Sequence, residues 1–377
     1  MNKISKYMVY IYIAPIIVSL YFIYNTGYLL GDFRSYSYDL DFTEAASILF
    51  FYILPLLFIY CMIKVFGRIH IYDCGNQRLD IIFFRLLMLT GIITLLFGAN
   101  QIGQIAQTGF SGLMIKIASK LNPLAMLPLL TFSAISHRKF IVSVLIVIFF
   151  SYMQRSLQGI FISILCLGAY YIINNKINRI TLNILFVLPL IFIGPLLDLI
   201  SYVYTLRNEM RGVAFDSNEI LSLAIGRIST TSSLIEILHN NYTSQSVSDF
   251  FSLGIMLERL LGITLFDTIS PSNIFNLAIV GQDAGYSIFM GMPGFLAFLL
   301  QGEITSFIFN SIIISLVLVS IYLLIPVFNR RYRIVAFFLI MYLSFLSFDI
   351  WEISIAFQTV VLWRIILLFN KLSFRRI

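Results

Sequence analysis

The chain runs to 377 residues, of which 59% are hydrophobic and 11% charged, with a net charge of +7. Soluble domains carry roughly 25% charged residues, so this composition cannot cover a water-facing surface and excludes a soluble enzyme. The apolar residues form long blocks without the alternation over ~10-residue segments that a membrane β-barrel needs. The basic residues sit in short loops between those blocks, which speaks for membrane orientation and against nucleic-acid binding.

About 20 apolar residues cross the hydrocarbon as a helix, and a helix satisfies its own backbone groups there. The blocks predict ten spans, at 7–25, 43–66, 80–98, 121–136, 139–153, 156–174, 180–205, 304–328, 333–349 and 352–370. The expected fold class is therefore all-α, a polytopic transmembrane helical bundle forming one integral membrane domain over 1–377. The first block follows Lys3 and Lys6 and has no small-x-small cleavage site, so it reads as a retained helix. The shorter blocks at 139–153 and 156–174 are accommodated by local thinning of the bilayer.

Lysine and arginine bias sets the orientation. With the N-terminus in the cytoplasm, the cytoplasmic segments hold Lys64, Arg68, Arg138, Lys139, Lys176, Arg179, Arg330, Arg331, Arg333, Arg375 and Arg376, against only Asp73 and Asp80 among the acids. The reverse orientation would place nearly all short basic loops outside. The expectation is N-in and C-in. The same logic reads GYSIFMGMPGFLAFLLQ as a re-entrant or half-buried segment, because Gly285, Gly291, Pro293 and Gly294 would break a spanning helix.

The longest connection, 206–303, is expected to be a large outer loop. Its runs NEILSLAIGRISTTSSLIEILHN and DFFSLGIMLERLLGITLF are amphipathic. Ser217 or Asn218 would cap the first and Ser248 or Asp249 the second. The expectation is a set of short, lid-like helices over the membrane core.

Basic residues on the outer side run against the orientation rule, and each needs a reason. Arg155 lies in the short turn SYMQRSLQG between two spans. A guanidinium held there has the planar fork that fits phosphate oxygens, and the competing reading is a headgroup anchor. Arg207 and Arg211 in TLRNEMRG are four residues apart, which puts both on one helix face, where they would clamp a diphosphate. Their alternative is a solvated helix end. Glu209 lies between them. Arg227 in GRISTTSS is followed by hydroxyls and suits an anion or a sugar, whereas Arg259 beside Glu258 reads as surface charge. Candidate bases for a sugar hydroxyl are Glu209, His239, Glu258, Asp283, Glu303, Asp349 and Glu352. Asp198 lies within a predicted span, where carboxylates are usually functional. Tyr242 and Tyr286 are candidates for sugar stacking. Of the three cysteines, Cys61 and Cys166 lie in apolar blocks and Cys74 in a loop. No cysteine spacing or HExxH motif suggests a metal or cofactor site.

The order of these features resembles the Wzy-type O-antigen (oligosaccharide repeat unit) polymerases of bacterial inner membranes. It rests on YMQRSLQG, TLRNEMRG, GRIS, DFFSLGIMLERLLG and GYSIFMGMPGFLAFL, spread over about 140–370. The resemblance implies a metal-independent integral-membrane glycosyltransferase whose active site faces the periplasm. The growing glycan would leave its undecaprenyl diphosphate and join a sugar hydroxyl on a fresh lipid-linked unit. It implies that Arg155, Arg207, Arg211 and Arg227 correspond to the family's periplasmic arginines, while no single acidic or histidine position matches its base. On the residues themselves the catalytic candidates are Arg155, Arg211, His239 and Glu209, and the substrate-binding candidates are Arg207, Arg227, Asp283 and Tyr286. The implied partners are the undecaprenyl-diphosphate-linked oligosaccharide, the lipid bilayer, a chain-length regulator and a flippase. Two other readings stay open: an O-antigen ligase, and a lipid-linked oligosaccharide flippase or transporter.

Overall fold

The computed structural model describes residues 12–34, 36–66, 77–96, 109–110, 114, 123–131, 136–153, 157–173, 194–195, 198, 201–202, 205, 220–240, 275, 290–298, 303–325, 357–358, 360–365 and 368. Among the described residues every regular element is helical, and the sole β feature is an isolated bridge between Tyr28 and Ser37. In chain order the helices are α1 (Ala14–Thr26), α2 (Phe42–Phe66), α3 (Gln77–Leu96), α4 (Pro123–Thr131), α5 (His137–Met153), α6 (Leu157–Ile173), α7 (Ile220–Ser229), α8 (Thr231–His239), α9 (Gly291–Phe298) and α10 (Ile304–Leu324). A 3₁₀ turn, Gly31–Phe33, lies between α1 and α2.

Among the described residues two helices are long and apolar enough to cross a membrane. They are α2, with 25 residues, and α10, with 21. At 1.5 Å per residue both exceed a hydrocarbon thickness of about 30 Å. The bent pair α7–α8 passes the same test if it counts as one span. Large apolar side chains such as Leu57, Val65, Leu145, Ile164 and Phe309 face outward, as lipid-facing positions would.

The chain divides into two compact units. In the second, α3, α4, α5 and α6 pack on one another. Gly159 on α6 lies directly against Ser151 on α5, a contact that any Cβ at 159 would obstruct. Phe83 packs on Trp363 at 4.5 Å between ring centroids, and Arg364 donates to the Ile325 carbonyl at 3.4 Å. The first unit holds α1, α2, α7, α8, α9 and α10, with α2 against α10 and α8 against α9. On α10, Ser311 and Ser315 are fully buried and donate to the carbonyls of Phe307 and Ser311, each at 2.6 Å. Bonding four residues back satisfies a hydroxyl where water is excluded, and the small side chains let helices approach closely.

The connection from α1 to α2 is ordered by local chemistry. Gly27 ends α1 in the left-handed region at φ 69°, and its N–H returns to the Ile23 carbonyl at 2.9 Å. A glycine adopts that conformation without a Cβ penalty. The Leu29 N–H then donates to the Tyr36 carbonyl, and the Tyr38 N–H to that of Gly27, both at 2.9 Å. Asp41 and Glu44 cap α2 reciprocally. The Glu44 N–H donates to Asp41 Oδ1 at 2.7 Å, and the Asp41 N–H to Glu44 Oε2 at 3.4 Å. This capping box satisfies donors that the first helical turn leaves without partners.

Candidate functional site

The run GRISTTSSLIEILHN does not form one amphipathic helix. It breaks at Thr230, where α7 and α8 meet at 74°. Thr230 has φ 56° and ψ 14°, a left-handed conformation that a β-branched residue rarely adopts. Such strain persists only when the surroundings over-determine it, and three elements do so here. From α2, the Tyr52 hydroxyl donates to the Ser229 carbonyl at 2.8 Å and meets Thr230 Oγ1 at 3.1 Å. From α9, Gly291 presses its backbone on the Thr230 side chain. From the α1–α2 connection, the Leu30 N–H donates to Ser232 Oγ at 2.7 Å, and the backbone of Gly31 touches that of Gly226.

Two short helices, α7 and α8, thus lie within 206–303. Thr231 through Ile237 are all buried, enclosed by α1, α2, α9 and the 3₁₀ turn. The consequence is a hydroxyl-rich interior, with Ser229, Thr230, Thr231, Ser232 and Ser233 all buried around the break.

Two polar groups flank the break. On the α7 side, Arg227 Nη2 donates to Asp32 Oδ1 at 2.7 Å, with side chains 22% and 19% exposed. Arg227 lies in the last turn of α7, where a cation complements the negative helix end. Arg34, on the same connection as Asp32, donates from Nη1 to the Gly31 carbonyl at 3.2 Å.

At the far end of α8, Glu236 is a buried carboxylate, 6% exposed. The Asn240 side-chain amide donates to its Oε1 at 2.7 Å. His239 is exposed one turn on, with its ring edge-on to Tyr38 at 5.3 Å. Burial, joined by the charge of and hydrogen bond to Glu44 and by the charges of Asp41 and Glu236, pushes the Tyr38 phenol up to about 12. That phenol is held as a hydrogen-bond donor. Asp41 is fully exposed, and its carboxyl is held below the usual range by the Glu44 N–H and the Thr43 hydroxyl. Among the described residues no group of three His, Cys, Asp or Glu is placed to hold a metal ion.

No protein-family model matches the chain, and no curated protein or solved structure matches it either. The site is therefore read from its own geometry.

Of the eight residues expected to act in catalysis or substrate binding, Arg227 and His239 are described, and both lie on the same bent helix pair. Arg155, Arg207, Arg211, Glu209, Asp283 and Tyr286 lie outside the described residues, as do Tyr242, Glu258, Asp349 and Glu352. Asp198 is exposed. Glu303 is exposed just before α10, its carboxylate accepting from the Thr305 hydroxyl at 3.1 Å. Sequence reasoning passed over Glu236, Asp32 and Tyr52. Glu236 carried a usable signal, because His239 and Asn240 follow it at i+3 and i+4, the spacings that share a helix face. Asp32 and Tyr52 had none, since each meets α7–α8 across more than 170 residues.

Proposed function

We propose that the chain is a multi-pass integral-membrane glycosyltransferase of the O-antigen polymerase kind. It would move a growing glycan from undecaprenyl diphosphate onto a new lipid-linked repeat unit at the periplasmic face of a bacterial inner membrane. The supporting observation is the bent pair α7–α8, which carries a half-buried arginine before its break and a buried carboxylate with an exposed histidine at its far end. An anionic leaving group and a sugar hydroxyl acceptor call for those two chemistries together. The ten-span, N-in and C-in arrangement belongs to the same proposal, and it puts α7–α8 on the outer side with Arg155, Arg207 and Arg211.

In this reading the acceptor hydroxyl gives its proton to His239 as general base, and its oxygen attacks the anomeric carbon of the donor. The bond from that carbon to the diphosphate oxygen breaks, and the departing diphosphate takes the electron pair. Arginines at Arg155, Arg207, Arg211 and Arg227 would offset the charge that develops on it. Glu209 remains a catalytic candidate, and Asp283 and Tyr286 remain candidate contacts to the substrate. The lipid tail would lie along grooves between spans.

The test is Arg155→Ala and Arg211→Ala, each assayed for polymer on a lipopolysaccharide gel. Loss of the ladder, with the proteins inserted at normal levels, is the expected result. Wild-type banding from both variants would overturn the proposal. Deletion separates the ligase alternative: without a polymerase, lipopolysaccharide still carries single repeat units, and without a ligase it carries none.

A transporter is the second reading, and the broken helix at Thr230 is what favours it, since discontinuous helices line many transport sites. Purified protein with lipid-linked repeat units in detergent decides between them. Glycan growth there requires a transferase, because no compartment exists to transport into.

A further inference from the structure

We infer that Tyr38 is a positioning residue for His239, its ring holding the imidazole at the end of α8 in one orientation. The inference rests on reading His239 as the base of the proposed transfer, and it adds a residue of the α1–α2 connection to that site.

His239 is the last residue of α8 and is exposed. An imidazole in such a place turns among several rotamers unless a neighbour selects one. The described neighbour is Tyr38, with ring centroids 5.3 Å apart and planes at 85°. An edge-to-face pair of that geometry favours one orientation by about two- to ten-fold. Glu236 does not supply the same hold. It sits on the helix that carries His239, its Oε1 is taken by the Asn240 amide at 2.7 Å, and a charge alone does not set the plane of a ring.

Tyr38 can hold a neighbour because it is held itself. Its N–H donates to the Gly27 carbonyl at 2.9 Å, beside the bridge between Tyr28 and Ser37. Leu40, two residues on, is buried. The Asp41–Glu44 capping box then joins this stretch to the start of α2. The half-buried phenol interacts with Glu44 and stays protonated.

Both ends of α8 are thereby referred to α2. Tyr52 of α2 bonds to the Ser229 carbonyl where α8 begins, and Tyr38, just before α2, meets His239 where α8 ends. From Glu44 to Tyr52 α2 advances about 12 Å, and α8 advances about as far from Thr231 to His239. A base must come within hydrogen-bond reach of the proton that it takes, and a long rigid helix is a suitable reference for that placement.

The experiment uses the full chain in nanodiscs. Carbethoxylation of His239 by diethyl pyrocarbonate is followed by peptide mass spectrometry, with His137 as internal reference. Tyr38→Ala should speed His239 modification about two- to ten-fold and leave His137 unchanged. Tyr38→Phe keeps the ring and should restore the wild-type rate. Tyr38→Leu fills the space without a ring and decides the matter if Tyr38→Ala does not fold. In the transfer assay Tyr38→Ala should lower kcat about ten-fold with KM little changed. In a His239→Ala background it should cost nothing further. Unchanged His239 modification in both ring-removing variants, no rescue by Tyr38→Phe, or a further loss in the His239→Ala background overturns the inference. Modification is read without substrate, so a wild-type chain that transfers no glycan sinks the transferase reading alone, and the hold on His239 is still measured.

Discussion

Gly291 and Thr230 meet backbone to side chain, and both hold positive φ, at 66° and 56°. Each thus starts its helix, α9 or α8, from a left-handed residue or directly after one. The contact allows no Cβ at 291. Gly291→Ala should cost about 2–3 kcal/mol, combining the left-handed penalty with the steric conflict. In a Thr230→Gly background the steric part disappears, so the alanine should cost less. A double-mutant cycle measured by detergent unfolding reads this directly. Strictly additive losses would mean that the two residues do not meet as described.

Tyr52 is the polar tie between α2 and the break. Its hydroxyl is the group that changes in Tyr52→Phe, and the ring still fills its place in the core. The Ser229 carbonyl would lose its 2.8 Å donor and keep the Thr230 hydroxyl at 2.7 Å. With the carbonyl still bonded, the loss is that of one net hydrogen bond, about 0.5–1.5 kcal/mol. Unfolding should shift by that amount, and glycan transfer should fall if the bend positions substrate. A phenylalanine variant as stable as wild type would show the hydroxyl to be dispensable.

The Glu236–His239 end of α8 separates a chemical role from a packing role. Histidine 239 is exposed, so His239→Ala should leave the fold intact while transfer in a purified assay drops at least about 100-fold. Glu236→Gln keeps the shape and the contact from Asn240 but removes the buried charge. It should reduce turnover more than it changes substrate affinity. Full activity in His239→Ala would exclude that histidine as the base.

The helical character of the chain was legible from apolar block length alone. The predicted segments 43–66, 139–153, 156–174 and the start at 304 fall within a few residues of α2, α5, α6 and α10. In the glycine-rich stretch α9 begins at Gly291, but it runs on through Pro293 and Gly294, which were expected to break a helix, and Gly285 lies outside the described residues. The ten-span count and the outer orientation remain proposals, because the structure offers two or three candidate spans among its described residues. The break at Thr230 was not legible. A threonine is an unlikely left-handed residue, and what forces it there comes from Tyr52, Gly31 and Gly291, far away in sequence. Sequence reasoning also passed over the Asp41–Glu44 capping box, although D-x-x-E before an apolar run carries that signal. At the site, Arg227 came forward as a cation on the expected outer side and His239 as a candidate base, but only the fold supplies their partners Asp32 and Tyr38.

Two glycines near the α1–α2 connection should respond to alanine for different reasons, and the difference tests how that connection is held. Gly27 has φ 69° with nothing within 4 Å of its absent Cβ. Gly27→Ala should cost only the conformational penalty, about 1–2 kcal/mol. Gly226 sits in helix α7, where alanine is the better helix former by about 1 kcal/mol. Its absent Cβ, however, points into the backbone of Leu30 and Gly31. Backbone cannot move aside as a flexible side chain can, so Gly226→Ala should be destabilising despite its helical gain, by about 2 kcal/mol or more. It should also loosen the Arg227–Asp32 pair, because that pair spans the same two segments. The measurement is detergent unfolding of both variants, with protease nicking of the 27–41 connection as a local readout. A stabilised Gly226→Ala protein, resistant to protease, would mean the connection does not rest on α7.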